Sequence, residues 1–155
     1  MKIIISTVLT VFACSALAQN KPETFTKDGS AQVAKENGVG AVKTGKVFFQ
    51  MPKDGMTVPT KFKVKMTVEG LTLKPAGAAP NDVTSGHHHI LIDSGPIPAG
   101  QPIPNDATHL HFGKAQTGGD VTLTPGDHTL TLQFADGAHR SFGPQMSQTI
   151  TVHVK

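Results

Sequence analysis

The chain has no tryptophan and no tyrosine, and its aromatic content is confined to eight phenylalanines and the histidines. Stacking platforms for sugars and single-stranded nucleic acid are mostly built from Trp and Tyr, so only Phe could serve there. Cysteine occurs once, at Cys14, within an N-terminal stretch that has the marks of an export signal. If that stretch is removed after Ala18, the remaining chain has no cysteine at all. Disulfides, iron–sulfur clusters, covalently attached c-type haem and cysteine-based blue copper are then excluded. Charge is sparse, with 14 Lys and Arg against 11 Asp and Glu, a formal net charge of +3. That excess is too mild to imply nucleic acid as a partner, and no basic run stands out. No apolar run approaches the ~20 residues of a mature transmembrane helix, so no membrane span is expected. A phosphate loop, a dinucleotide fingerprint and a nucleophile elbow are all missing, and the few acidic residues fall mostly in turns.

The N-terminus reads as a secretory signal peptide over residues 1–18. Lys2 gives the positive start, residues 3–12 the apolar run, and Ala16-Leu17-Ala18 the small-x-small cleavage pattern before Gln19. A lipoprotein processed at Cys14 is the rival reading. The bulky Phe12 and the short run before Cys14 weigh against it. The expected location is therefore periplasmic or secreted. Residues 19–43 are polar and weakly periodic, and read as a flexible segment with one short helical turn near 31–36. Residues 44–155 read as one domain, large enough for a core without staples.

Within that domain the hydrophobic period is two. Phe62, Val64, Met66 and Val68 alternate with Lys63, Lys65 and Thr67, and His128, Leu130, Leu132 and Phe134 alternate with Thr129, Thr131 and Gln133. Strict alternation over this length predicts half-buried strands. Further strands are expected at Val47-Phe48-Phe49, at 71–73, 87–93, 109–112, near Val121 and Leu123, and at 150–154. Pro52-Lys53-Asp54-Gly55 is turn chemistry, and Pro125-Gly126-Asp127 reads as a tight hairpin turn. Residues 94–108, with four prolines and two glycines, read as a long surface loop of the kind that is often functional. No segment has a helical period. Recurrent strands with turn signals between them predict an all-β fold, a single antiparallel β-sandwich of immunoglobulin-like type.

Against this background the eight histidines stand out. Three are consecutive, His87, His88 and His89, and two flank a leucine in His109-Leu110-His111. On a strand, side chains at i and i+2 share a face, so His87 pairs with His89 and His109 with His111. Five unpaired imidazoles at one sheet edge would be costly if buried and mutually repulsive if protonated. A metal ion removes both problems by coordinating neutral imidazole. The expected ligand set is His87, His89, His109 and His111, provided the two strands are neighbours. All-imidazole sites suit copper(II), zinc and nickel; outside the cytoplasm copper is the favoured occupant, with zinc second. His128, His139 and Met146 are secondary candidates. His128 has core-side parity and suits a satisfied buried histidine slightly better than a ligand. Met51, Met56 and Met146 could offer thioethers to copper(I), against the plainer role of packing. His88 faces the other way and is expected to make a structural hydrogen bond or to support a ligand. His153 is expected to be an outward structural residue, and Asp93 to cap a loop rather than orient an imidazole.

Several of these stretches resemble a family of small exported bacterial domains of unknown function. They are Gly86-His87-His88-His89-Ile90-Leu91-Ile92-Asp93, Gln101-Pro102-Ile103-Pro104, His109-Leu110-His111-Phe112-Gly113 with Gln116-Thr117, and Pro125-Gly126-Asp127-His128-Thr129-Leu130. The likeness covers roughly residues 44–155. It implies a secreted β-domain and brings no activity with it. The spacing of Pro52, Gly55 and Val58 also resembles the first strands of bacterial immunoglobulin-like domains, an analogy of fold alone.

Three functions follow. The favoured one is a periplasmic metal-binding protein, for copper or zinc, acting in storage, delivery or resistance. The second is a copper-dependent dismutase-like enzyme, to which a His-x-His pair on a β-sandwich bears a local likeness. The third is an envelope interaction domain whose histidines hydrogen-bond across strands, with another envelope protein as its partner. The sequence supplies a site without a reaction, so binding is favoured over catalysis.

Overall fold

The computed structural model describes residues 45–155. The expected signal peptide, the lipidation alternative at Cys14 and the segment 19–43 lie outside the described residues. Nine strands run in chain order: β1 (Lys46–Met51), β2 (Met56–Val58), β3 (Lys61–Glu69), β4 (Thr72–Leu73), β5 (Ser85–Ile92), β6 (His109–Phe112), β7 (Gly118–Thr122), β8 (Gly126–Ala135) and β9 (Ser147–Val154). The only helical element among the described residues is a 3₁₀ turn, Pro144–Met146.

The strands form two sheets. The first has the order β1-β3-β7 and is antiparallel throughout. The second has the order β2-β9-β8-β5-β4, with β6 also paired to β5. Its long pairings are antiparallel, and two short ones, β2 with β9 and β4 with β5, are parallel. The fold is thus an all-β sandwich of immunoglobulin-like architecture.

The period-two pattern explains how the sheets meet. Phe62, Val64 and Met66 of β3 are buried while Lys61, Lys63 and Lys65 are exposed. With Val47, Phe49 and Val121 they pack against Ile90, Leu130, Leu132, Phe134, Ile150, Val152 and Val154 of the second sheet. These are the positions that alternation assigns to the interior.

The expected hairpin at Pro125-Gly126-Asp127 does not form. β7 pairs in the first sheet and β8 in the second, so residues 123–125 carry the chain between sheets instead of reversing it within one. Turn chemistry signals a change of direction, but not whether the two strands it joins become partners.

β5 and β8 depart from a half-buried pattern. Every residue of β5 but Ile92 is buried, as are the last six residues of β8. Both faces of this part of the second sheet are covered, the inner by the first sheet and the outer by two loops, 94–108 and 136–143. Polar residues of the outer face hold these loops down. The Gln133 amide accepts from the Ile97 N–H at 2.8 Å and donates to the Ile97 carbonyl and to Ser141 Oγ. Thr131 Oγ1 donates to the Ser94 carbonyl at 2.7 Å. The loops are also tied together, with Gly100 N–H donating to Ser141 O and Ile103 N–H to His139 O.

Candidate metal centre

β5 and β6 are antiparallel neighbours, the condition the two histidine pairs required. The register sets His89 opposite His111, Leu91 opposite His109, and His88 opposite Phe112. His87, His89 and His111 accordingly stand on the outer face of the second sheet. His139 joins them from the loop after β8, at a backbone φ of 65°. One ring nitrogen from each of these four residues lies within 4.8 Å of the other three, a group that could hold a metal ion. Nε2 of His87 is 3.0 Å from Nε2 of His89, and Nε2 of His111 is 3.2 Å from Nε2 of His139. The rings of His89 and His111 stack at 5.0 Å between centroids.

These separations suit a shared ion. Four nitrogens at ~2.0–2.1 Å from a tetrahedral zinc would be roughly 3.3–3.4 Å apart. In a square plane with bonds of that length, neighbours would be roughly 2.9 Å apart and opposite nitrogens roughly 4.1 Å apart.

The surroundings keep the imidazoles in the form a metal takes. Burial pushes His87 down to about 4 from its usual 6.5, with the neighbouring His111 and His139 acting in the same direction. Burial lowers His89 further still, assisted by His87, and it lowers His111 too, assisted by His139. Neutral rings whose Nε2 atoms face one another can share only one proton per pair. An ion at the centre would satisfy all four lone pairs together. Nδ1 of His87 and of His89 has no protein partner in either case.

His109, expected as a ligand from its i, i+2 relation to His111, is not in this group. Two residues along a strand is ~7 Å, and its partner across the ladder is Leu91 rather than a histidine. Its Nδ1 is 2.8 Å from Asp106 Oδ1, which also accepts from the His109 and Thr108 N–H groups. His109 therefore closes the end of the long loop. Parity correctly gives the face, but convergence on a point also needs the rings to lean together, and the His111 ring packs near His87 while that of His109 is held by Asp106.

The secondary candidates separate as well. His139 lies in the group. His128 sits at the sandwich rim, its Nδ1 2.8 Å from Asp93 Oδ2 and its Nε2 3.1 Å from the Thr124 carbonyl, as a satisfied histidine should be. Asp93 does both jobs considered for it, orienting that imidazole and accepting from the Thr129 N–H beside the loop. Met146 is buried in the apolar core, and Met56 packs against that core. Met51 is exposed. His153 points outward with Nδ1 2.6 Å from Asp127 Oδ1. The structural hydrogen bond expected of His88 is absent. Its ring is fully buried against Phe134, centroids 5.2 Å apart, and neither nitrogen has a partner.

Two residues important to the geometry carried weak signals. His139 follows Asp136-Gly137-Ala138 in a turn whose Asp136 accepts from the Ala138 and Arg140 N–H groups, so the loop is preformed. Gly113 was visible as the last residue of a motif, but not as a spatial requirement.

A model of the domain of unknown function DUF4399 matches residues 64–155. The chain belongs to this family. Among curated proteins no match is found. Among solved structures the chain is similar to the endo-beta-1,4-mannanase from Thermotoga petrophila, at 14% identity and a TM-score of 0.42, over 75% of this chain and 21% of that one. The chain thus spans about a fifth of the enzyme's length, and so distant a likeness carries no argument for this DUF4399 domain. Among its described residues no helix is long and apolar enough to cross a membrane.

Proposed function

We propose that this DUF4399 protein binds one metal ion, copper foremost and zinc second, through His87, His89, His111 and His139. Its role is storage, delivery or resistance in the periplasm or outside the cell. The observation that carries this reading is the convergence of four ring nitrogens within 4.8 Å, two of them on rings with almost no solvent exposure. Desolvation opposes their protonation, and their Nε2 atoms face one another. All-nitrogen donor sets favour copper(II) and zinc among the common divalent ions. Copper is placed first because an all-imidazole donor set suits copper(II) and because the expected location is outside the cytoplasm.

The test is the metal content of the protein isolated without an affinity tag from the envelope fraction of its own host. About one copper or zinc per chain is expected for a single shared ion. Protein that is metal-free when isolated and takes up neither ion on addition would return the histidines to a structural role. The envelope interaction domain would then be the better reading.

A further inference from the structure

The fold holds the four candidate ligands unequally. His87 and His89 stand on β5, which is hydrogen-bonded along both sides, and their exposures are 0% and 1%. His111 stands on β6, a strand of four residues whose only partner among the described strands is β5, and it is exposed. His139 is half-buried on a loop.

The ring of His111 reaches the cluster because a side chain is missing beside it. Continued by one residue, the register that sets His88 opposite Phe112 puts Gly113 opposite His87. A Cβ at Gly113 would lie 2.2 Å from both Nε2 and Cε1 of His111. The backbone at Gly113 is not in the left-handed region, so glycine is needed here for space. The ring leans into the gap, toward His87, with centroids 5.0 Å apart.

We propose that the ion enters and leaves on the His111 side, by ligand substitution, with Gly113 as the positioning residue that sets how easily His111 lets go. This rests on the reading of the four histidines as metal ligands. An incoming donor forms a bond to the metal while the bond from His111 Nε2 breaks. No electron is transferred, and the freed imidazole, on an exposed residue, turns to solvent and is hydrated. His87 and His89 keep hold until the incoming ligand set is complete. The opposite approach is closed by the sheet itself.

The experiment loads the purified protein with copper(II), adds free histidine at increasing concentration, and follows the loss of protein-bound copper by visible absorbance. The expected rate rises in proportion to free histidine. Gly113→Ala keeps all four donors yet is expected to exchange at least about tenfold faster, the scale seen when a residue that orients a metal ligand is changed. Its circular dichroism should be unchanged. If that variant fails to fold, His111→Ala, a change at an exposed ring, takes its place with the same expected acceleration. A rate independent of free histidine, or unaltered in the variant, overturns the inference while leaving the metal site intact. A wild-type protein that binds no copper at all removes the metal reading itself.

Discussion

Nε2 of His139 lies 3.2 Å from Nε2 of His111, although 28 residues separate them in sequence. The contact joins a loop beyond β8 to the edge strand β6, and β5 lies between those two strands. Ile103 N–H donates to the His139 carbonyl, and Ser141 Oγ is fixed by Gln133 and Ile97, so the loop returns over the outer face and carries His139 to the cluster.

The ligand set can be tested against its neighbour in sequence. His139→Ala should weaken copper or zinc binding by ~10-fold or more, a change worth about 1.4 kcal/mol per decade. His109→Ala should leave affinity within about threefold, since that ring is committed to Asp106. Competition titration with a chromogenic chelator measures both. The reverse order would restore the pair of His-x-His motifs as the site.

Stability of the metal-free protein should depend on pH with a definite sign. Burial holds both His87 and His88 down to about 4, against a usual 6.5. Between those values the unfolded chain binds protons that the folded chain refuses. Stability is therefore complete above about pH 6.5 and is lost as pH falls toward 4. At ~1.4 kcal/mol per pKa unit the loss is on the order of a few kcal/mol. Urea unfolding at pH 7 and pH 4.5 should show a clear drop in midpoint, and equal midpoints would contradict the burial of neutral rings.

His88 gives a separate test, because its two nitrogens are buried without partners. An unsatisfied buried polar group costs about 1–3 kcal/mol. Replacing it with Leu should leave the protein as stable as before or more so, and should flatten part of the pH dependence. Metal affinity should not change, since the ring faces Phe134 on the other side of the sheet. A destabilisation above ~2 kcal/mol on chemical unfolding would mean that the ring has a partner in solution.

Most of the fold and three of the four clustered histidines were legible in the sequence, for different reasons. Alternation from Phe62 to Met66 and from Leu130 to Phe134 fixes which side of each strand is interior, because side chains alternate by geometry alone. The same rule put His87, His89 and His111 on one face, and the ladder between β5 and β6 bears that out. What alternation cannot give is ring direction or the path of a loop. The departure of His109 depends on Asp106 capturing its imidazole, and the arrival of His139 on hydrogen bonds from Gln133 and Ile103. The crossing between sheets at 123–125 was hidden for a similar reason, since Pro125 and Gly126 suit either connection.

The sandwich core predicts its own sensitivity. Leu132 has no solvent exposure and packs between the sheets beside Ile90 and Ile150. Leu132→Ala should cost about 2–5 kcal/mol in chemical unfolding. A loss near the ~0.5 kcal/mol typical of a surface change would contradict the assignment.

The central claim, that four histidines converge to hold one ion, is tested most directly by isothermal titration calorimetry of the metal-free protein with copper(II), and separately with zinc, at neutral pH in buffers of different ionisation enthalpy. The account predicts a single tight site per chain whose occupancy holds through neutral pH and weakens as pH falls toward the value of about 4 to which burial lowers His87, and which is lost when His111 and His139 are both changed to Ala. No binding of either ion to the wild-type protein, or binding that survives the double change, would contradict it.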